Sequence, residues 1–190
     1  NSDDSAESRE PRAGSSSPRA GSSSASAESA PPTAPGRGPR ADCGAGQPPL
    51  LSGAGVGHLR IGATVSSITS RCMVLQDTTL ARGTEGQPER RMTVLVAGTN
   101  TVATVVDDKV WRIEIGSPRF MTRDSLGVGS TVAKLRSPEA RLALGEGAYV
   151  LRADHCGLSF KLSSGVGAFG GQLASVPDST QVRAVLTTGC

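Results

Sequence analysis

Aromatic residues are scarce in this 190-residue chain: one Trp, one Tyr and three Phe, 3% of the total. All five lie beyond Val110, so the first half brings no large ring to a core. Histidine is limited to His58 and His155, and Cys43, Cys72, Cys156 and Cys190 form no C-x-x-C pair. Neither a zinc clamp nor a thioredoxin-type motif is therefore expected, and no metal is assigned. Lysine occurs three times against 17 arginines, and the net charge is only +3. Without a clustered basic stripe, no nucleic-acid partner is expected. No apolar run is long enough to span a membrane as a helix, so no transmembrane segment is expected either.

What is present divides sharply near Gly57. Before it, Ser, Pro, Ala, Gly and Arg dominate, as in "AGSSSPRAGSSSASAESAPPTAPGRGPR", with eight of the twelve prolines. So few apolar side chains cannot offset the entropy of ordering a backbone. Residues 1–57 are thus expected to be a disordered leader or tether, reaching about 40 Å as a coil. Residues 58–190 are expected to form one α+β domain with 15 basic and 11 acidic residues. The chain opens on Asn rather than Met, which reads as a processed form whose signal peptide has been removed. Cys43, in "PRADCGAG", lacks the apolar run of a lipid-acceptor site.

Two stretches repeat each other. "LRIGATVSSITS" (Leu59–Ser70) and "LGVGSTVAKLRS" (Leu126–Ser137) align without a gap at an offset of 67. Gly62 meets Gly129, Thr64 meets Thr131, Val65 meets Val132 and Ile68 meets Leu135. Such self-similarity marks a duplicated supersecondary unit. In each copy a glycine able to turn ends a short apolar strand. Thr64 or Thr131 then serves as N-cap, and the apolar pair three residues apart faces a short helix inward. Helices this brief need a sheet to lie on.

Strand signals follow each helix. Met92–Gly98, Thr101–Asp107 and Lys109–Gly116 are rich in β-branched residues, with "TN" and "DD" at their junctions; Ala148–Asp154, Gly157–Ser163 and Gln181–Gly189 repeat the plan. The expected architecture is a tandem repeat, residues 58–117 and 124–190, of short helix plus three-strand antiparallel meander. Together these give one sheet of about six strands with the helices on one face. Alternation along Lys109–Gly116 turns Trp111, Ile113 and Ile115 inward and Arg112 and Glu114 outward. The same rule puts Ser159 and Lys161 on a polar face. "DTT" at Asp77–Thr79 reads as a loop.

Four cysteines allow three complete pairings, and export favours disulfides. Cys156 opens one expected strand and Cys190 closes the next, so both lie at one sheet end and form the favoured pair. Cys72 competes for either partner, while Cys43 stays free or pairs with another chain.

Tandem helix-plus-sheet units opened by the Gly62–Thr64 and Gly129–Thr131 corners resemble small exported bacterial domains of the BamE and β-lactamase-inhibitory-protein type. The chain resembles more nearly a set of uncharacterised secreted bacterial proteins with "VWRIEIGSPRF"-type strands followed by a "T…LGVGST" turn. The resemblance implies an exported bacterial protein, periplasmic, envelope-bound or secreted, that binds proteins and catalyses nothing. Arg112, Glu114, Ser159 and Lys161 are its candidate contact surface.

Chemical signatures are few. "GVGAFGG" (Gly165–Gly171) contains G-x-G-x-x-G, but only "QLASV" separates it from Pro177, with no βαβ pattern around it; no cofactor is expected. His155 beside Cys156 supports an alternative, a small thiol-dependent hydrolase, although adjacent side chains point apart. A purely structural spacer is the other alternative.

Overall fold

Runs of Val, Ile and Thr broken by two-residue turns dictate strands, and strands dominate. In the computed structural model, residues 41–46, 49–81, 88–163 and 171–190 are described; they fall within one compact unit, Arg37–Cys190. A two-strand ribbon, β1 (Gly55–Val56) with β2 (Leu59–Arg60), precedes helix α1 (Val65–Arg71). Then come β3 (Val74–Leu80), β4 (Glu89–Val96), β5 (Thr99–Val106) and β6 (Lys109–Ile115). Helix α2 (Val132–Leu135) is followed by β7 (Arg141–Leu144), β8 (Ala148–Leu151), β9 (Leu158–Leu162) and β10 (Val182–Thr187).

Eight strands make one antiparallel sheet in the order β3-β4-β5-β6-β10-β9-β8-β7. This corrects the expected α+β repeat of helix plus three-strand meander: the protein is largely β, with α-helices of only seven and four residues. Two edge strands account for the difference in strand number. β3 carries Gln76, Asp77, Thr78 and Thr79, a polar stretch whose residues are half-buried or exposed, so it lacks the apolar alternation of a central strand. β7 has four residues and closely follows Pro138.

Register shows why the interior strands form. Met92, Ala103, Ile113, Thr187 and Leu158 stand opposite one another across five strands. A second row runs Ile115, Val185, Phe160, Val150 and Leu142. Four members of the first row and four of the second are buried apolar residues of the core, joined there by Val65 and Ile68 of α1 and Val132 and Leu135 of α2. Hairpins turn at Ala97–Gly98 and Asp107–Asp108, all four with positive φ, so the first turn lies just before the "TN" of the sequence expectation.

Trp111 departs from simple alternation. A bulge between Thr104 and Val105 shifts the β5–β6 register, so Val110 faces inward at 1% exposure and Trp111 is 44% exposed.

The two glycine–threonine corners are built alike. Gly62 and Gly129 have φ of 81° and 88°, a region L-residues rarely adopt. Gly62 N–H donates to Val110 O, and Gly129 N–H to Val182 O. Thr64 and Thr131 each bridge a strand start, at Lys109 and Gln181. Thr64 Oγ1 caps α1 by accepting from Ser67 N at 3.2 Å. Thr131 occupies the matching position but makes no side-chain cap bond.

Order begins upstream of residue 58. Asp42 grips the β4–β5 turn: its carboxylate accepts from Ala97 N and Gly98 N, each at 2.5 Å, and from Gly44 N at 2.8 Å. Cys43 N–H donates to Leu95 O at 3.0 Å, and the Cys43 side chain is disulfide-bonded to Cys72 at the end of α1. Both cysteines are 1% exposed. Cys43 is therefore a buried anchor, neither free nor paired with another chain. The leader expected for residues 1–57 accordingly gives way to packed structure by residue 41; residues 1–40 lie outside the described residues.

Three carboxylates tie this fold to pH. Burial alone would raise Asp42, but hydrogen bonds from Gly44, Gly98 and Ala97, with the charge of Arg119, hold it below the ordinary 3.8. Asp77 is lowered chiefly by the side-chain bond from Arg90, and Asp124 is lowered by Thr122 and His155 against an opposing burial effect. A depressed folded-state pKa contributes stability that is complete above the unfolded value and lost as pH falls through the folded one. Denaturant midpoints should thus be flat above about pH 5 and decline below about pH 4. A midpoint unchanged down to about pH 2.5 would contradict this assignment.

Candidate functional site

Two places bring chemically interesting residues together. The first is the sheet face opposite the core. Leu186 of β10 stands across from Glu114 of β6 on one side and Ser159 of β9 on the other, while Ala184 stands across from Lys161. Arg112 lies two residues before Glu114 on the same face, opposite Thr104. All four residues of the expected contact surface, Arg112, Glu114, Ser159 and Lys161, thus flank one strand.

Between them lie Ala184 and Leu186, with Tyr149 of β8 next to Lys161 on its far side; all three are buried yet outside the main core cluster. Long charged side chains lie across these apolar groups. Lys161 Nζ sits 5.7 Å from the Tyr149 ring centre, and the Arg112 guanidinium 5.3 Å from that of Trp111. Arg112 also faces Glu89 at 3.7 Å and Glu146 at 3.8 Å. The result is an alternating-charge surface over an apolar floor. Trp111 and Glu146 belong to it although sequence reading had placed Trp111 inside and left Glu146 unassigned. The bulge that exposes Trp111 has no sequence signal.

The second place is a cleft of about 570 Å³ at one end of the sheet. Leu51 and Leu158 give it apolar wall; Arg60, Arg123, Cys156 and Cys190 give it chemistry. His155 closes a 3₁₀ turn (Ala153–His155) before β9. Its Nε2 lies 3.0 Å from Asp124 Oδ2, and Thr122 Oγ1 donates to Asp124 Oδ1 at 2.6 Å. The His155 ring also meets Phe160 edge-on, 6.1 Å between centres. Arg152 forms a two-pronged pair with Asp154.

Cys156 and Cys190, the favoured disulfide of the sequence reading, are free exposed thiols. They are nonetheless neighbours: a side-chain hydrogen bond to Cys156 is the main cause that pushes the Cys190 thiol up. Cys72 competes for neither, being bonded to Cys43. The Cys43–Cys72 link escaped sequence reading because the tail-like composition around Cys43 hides the Asp42 clamp. No group of three or more His, Cys, Asp or Glu able to hold a metal ion occurs among the described residues. The Gly165–Gly171 motif lies, except for Gly171, outside them. No helix among them is long and apolar enough to cross a membrane.

Comparison with known proteins locates the fold but no activity. No family model matches the chain, and no curated protein does. Among solved structures, the uncharacterized protein yfeY from Escherichia coli is similar, with a TM-score of 0.56 at 15% identity. The match covers 73% of this chain and 99% of that one. The chain is therefore similar in fold to an uncharacterised bacterial protein.

Proposed function

We propose that this is a non-enzymatic binding or scaffolding domain, exported to the bacterial envelope or exterior, which holds a partner protein against the sheet face around β10. The observation that carries this reading is the placement of Arg112, Glu114, Ser159 and Lys161 on both sides of buried Ala184 and Leu186. An apolar centre ringed by charge, with exposed Trp111 and half-buried Arg112 beside it, has the composition of binding hot spots. Export is supported by the buried disulfide, which persists in oxidising compartments. Resemblance to exported domains of the BamE and inhibitory-protein type agrees with a protein partner.

The hydrolase alternative fits less well. Among the described residues no hydrogen bond joins His155 to Cys156, the His155 Nε2 meeting Asp124 instead, so His155 is not placed as a base for that thiol. The test is site-specific photo-crosslinking from Ser159 in an exporting bacterium, with and without Lys161→Glu. Arg112→Glu is the less clean variant, because it sets a third carboxylate beside Glu89 and Glu146. Capture of one discrete protein should fall about tenfold in Lys161→Glu, equivalent to about 1.4 kcal/mol. Unchanged capture, with the fold intact, would remove this face as the contact surface.

A further inference from the structure

The cleft contains a thiol pair that no structural role of the sheet requires. Its two cysteines come from segments 34 positions apart and are held together by backbone rather than by chance contact. Thr188 N–H donates to Gly157 O at 3.0 Å and Gly189 N–H to Gly53 O at 3.1 Å, which locks the residues preceding Cys190 against the turn that carries Cys156. Gly53 completes the seat: a Cβ there would lie 2.0 Å from Cys156 O and 3.2 Å from Cys190 Sγ. Only a glycine lets the three segments approach so closely.

The charge around the pair is equally specific. Asp154 is paired with Arg152, and Asp124 Oδ2 lies 3.0 Å from His155 Nε2. Arg60 and Arg123 also line the cleft, and neither makes an ion pair among the described residues. Two unpaired guanidinium groups beside two exposed thiols make a seat for a sulfur compound that carries carboxylates.

We infer that Cys156 and Cys190 form a redox-active dithiol that exchanges with small anionic disulfides bound in the cleft by Arg60 and Arg123. In the first step the Cys156 thiolate attacks one sulfur of the external disulfide. A Cys156–sulfur bond forms, the external sulfur–sulfur bond breaks, and the departing thiolate takes up the proton Cys156 released. In the second step the Cys190 thiolate attacks Cys156 Sγ, closes the Cys156–Cys190 bond and expels the second external thiolate, which is protonated in turn. Two protein thiols are oxidised to one disulfide and one external disulfide is reduced to two thiols. A side-chain hydrogen bond to Cys156 pushes the Cys190 thiol up, which suits Cys190 to the resolving step. Cys43–Cys72 stays out of the exchange because both of its residues are buried.

The full chain, with Cys43–Cys72 intact, is treated with oxidised glutathione, and protein thiols are counted by alkylation and mass spectrometry. The count should fall from two to zero, with a Cys156–Cys190 peptide recovered. In Cys190→Ser a stable glutathione adduct on Cys156 should accumulate instead. Against hydroxyethyl disulfide, which is uncharged, the wild type should react at least tenfold more slowly than with oxidised glutathione. Arg60→Gln with Arg123→Gln should bring the ratio of the two rates close to one, with an unchanged denaturant midpoint as the control for folding. Two thiols that persist in excess oxidised glutathione overturn the dithiol. Equal rates with both disulfides overturn the anion seat.

Discussion

Replacing Cys43 or Cys72 with serine should cost about 3–4 kcal/mol of stability, from the loop-closure entropy of a 29-residue separation. For a domain of this size that is a fall of roughly 10 °C in Tm. The effect should be nearly the same for either single variant, because each opens the same link. Wild type reduced with dithiothreitol in denaturant, where the buried link is accessible, and then refolded should match it, since Cys156 and Cys190 are already reduced in this structure. The loss has a local route as well. Without the bond to α1, the segment before β1 is held by Cys43 N–H on Leu95 and by the Asp42 clamp on Ala97 and Gly98. Denaturant unfolding of Cys72→Ser beside the wild type decides the matter, and a difference under about 1 kcal/mol would show that the link constrains little.

The second large effect is expected at Phe160. Its side chain is fully buried in the row that joins β6, β10, β9 and β8, so Phe160→Ala should cost about 3–5 kcal/mol. The same ring supports His155 from the edge, so the variant should also loosen the His155–Asp124 contact beside the cleft. Trp111→Ala is the natural comparison. Trp111 is larger but nearly half-exposed, and its removal should cost less than about 1 kcal/mol. A reversed ranking would mean that the β5–β6 bulge, and with it the facing of β6, is misplaced.

Sequence patterning made most of the sheet legible. β6, β8, β9 and β10 fall within the expected stretches, while β4 and β5 overlap theirs but begin three and two residues earlier. The corners at Gly62 and Gly129 were legible too, because glycine at a strand end followed two residues later by threonine has a direct backbone meaning. What failed was everything set by tertiary context. β3 reads as a loop because its pairing with β4 is supported by Arg90 reaching Asp77 at 2.8 Å, a long-range contact invisible to periodicity. Helices were overweighted since their caps are strong local signals, whereas α2 extends only four residues before Arg136 leaves helical geometry. Cys43 was lost to composition, although a single carboxylate one residue earlier fixes it in place. The face residues around β10 could be identified by alternation alone, yet their meeting depended on β6 and β10 being neighbours, which no local pattern encodes.

That adjacency has a consequence for how the molecule assembles. β3 to β6 and β7 to β9 are each stitched by neighbours in sequence, but only three residue pairs, Ile113–Thr187, Glu114–Leu186 and Ile115–Val185, sew the two sets together. The thread that does so is the strand furthest along the described chain. A polypeptide emerging from a ribosome or a translocation pore would hold two unfinished half-sheets, each with a raw inner margin, until β10 arrived. Any chaperone that serves this protein therefore has one margin above all to shield: the side of β6 that waits for β10.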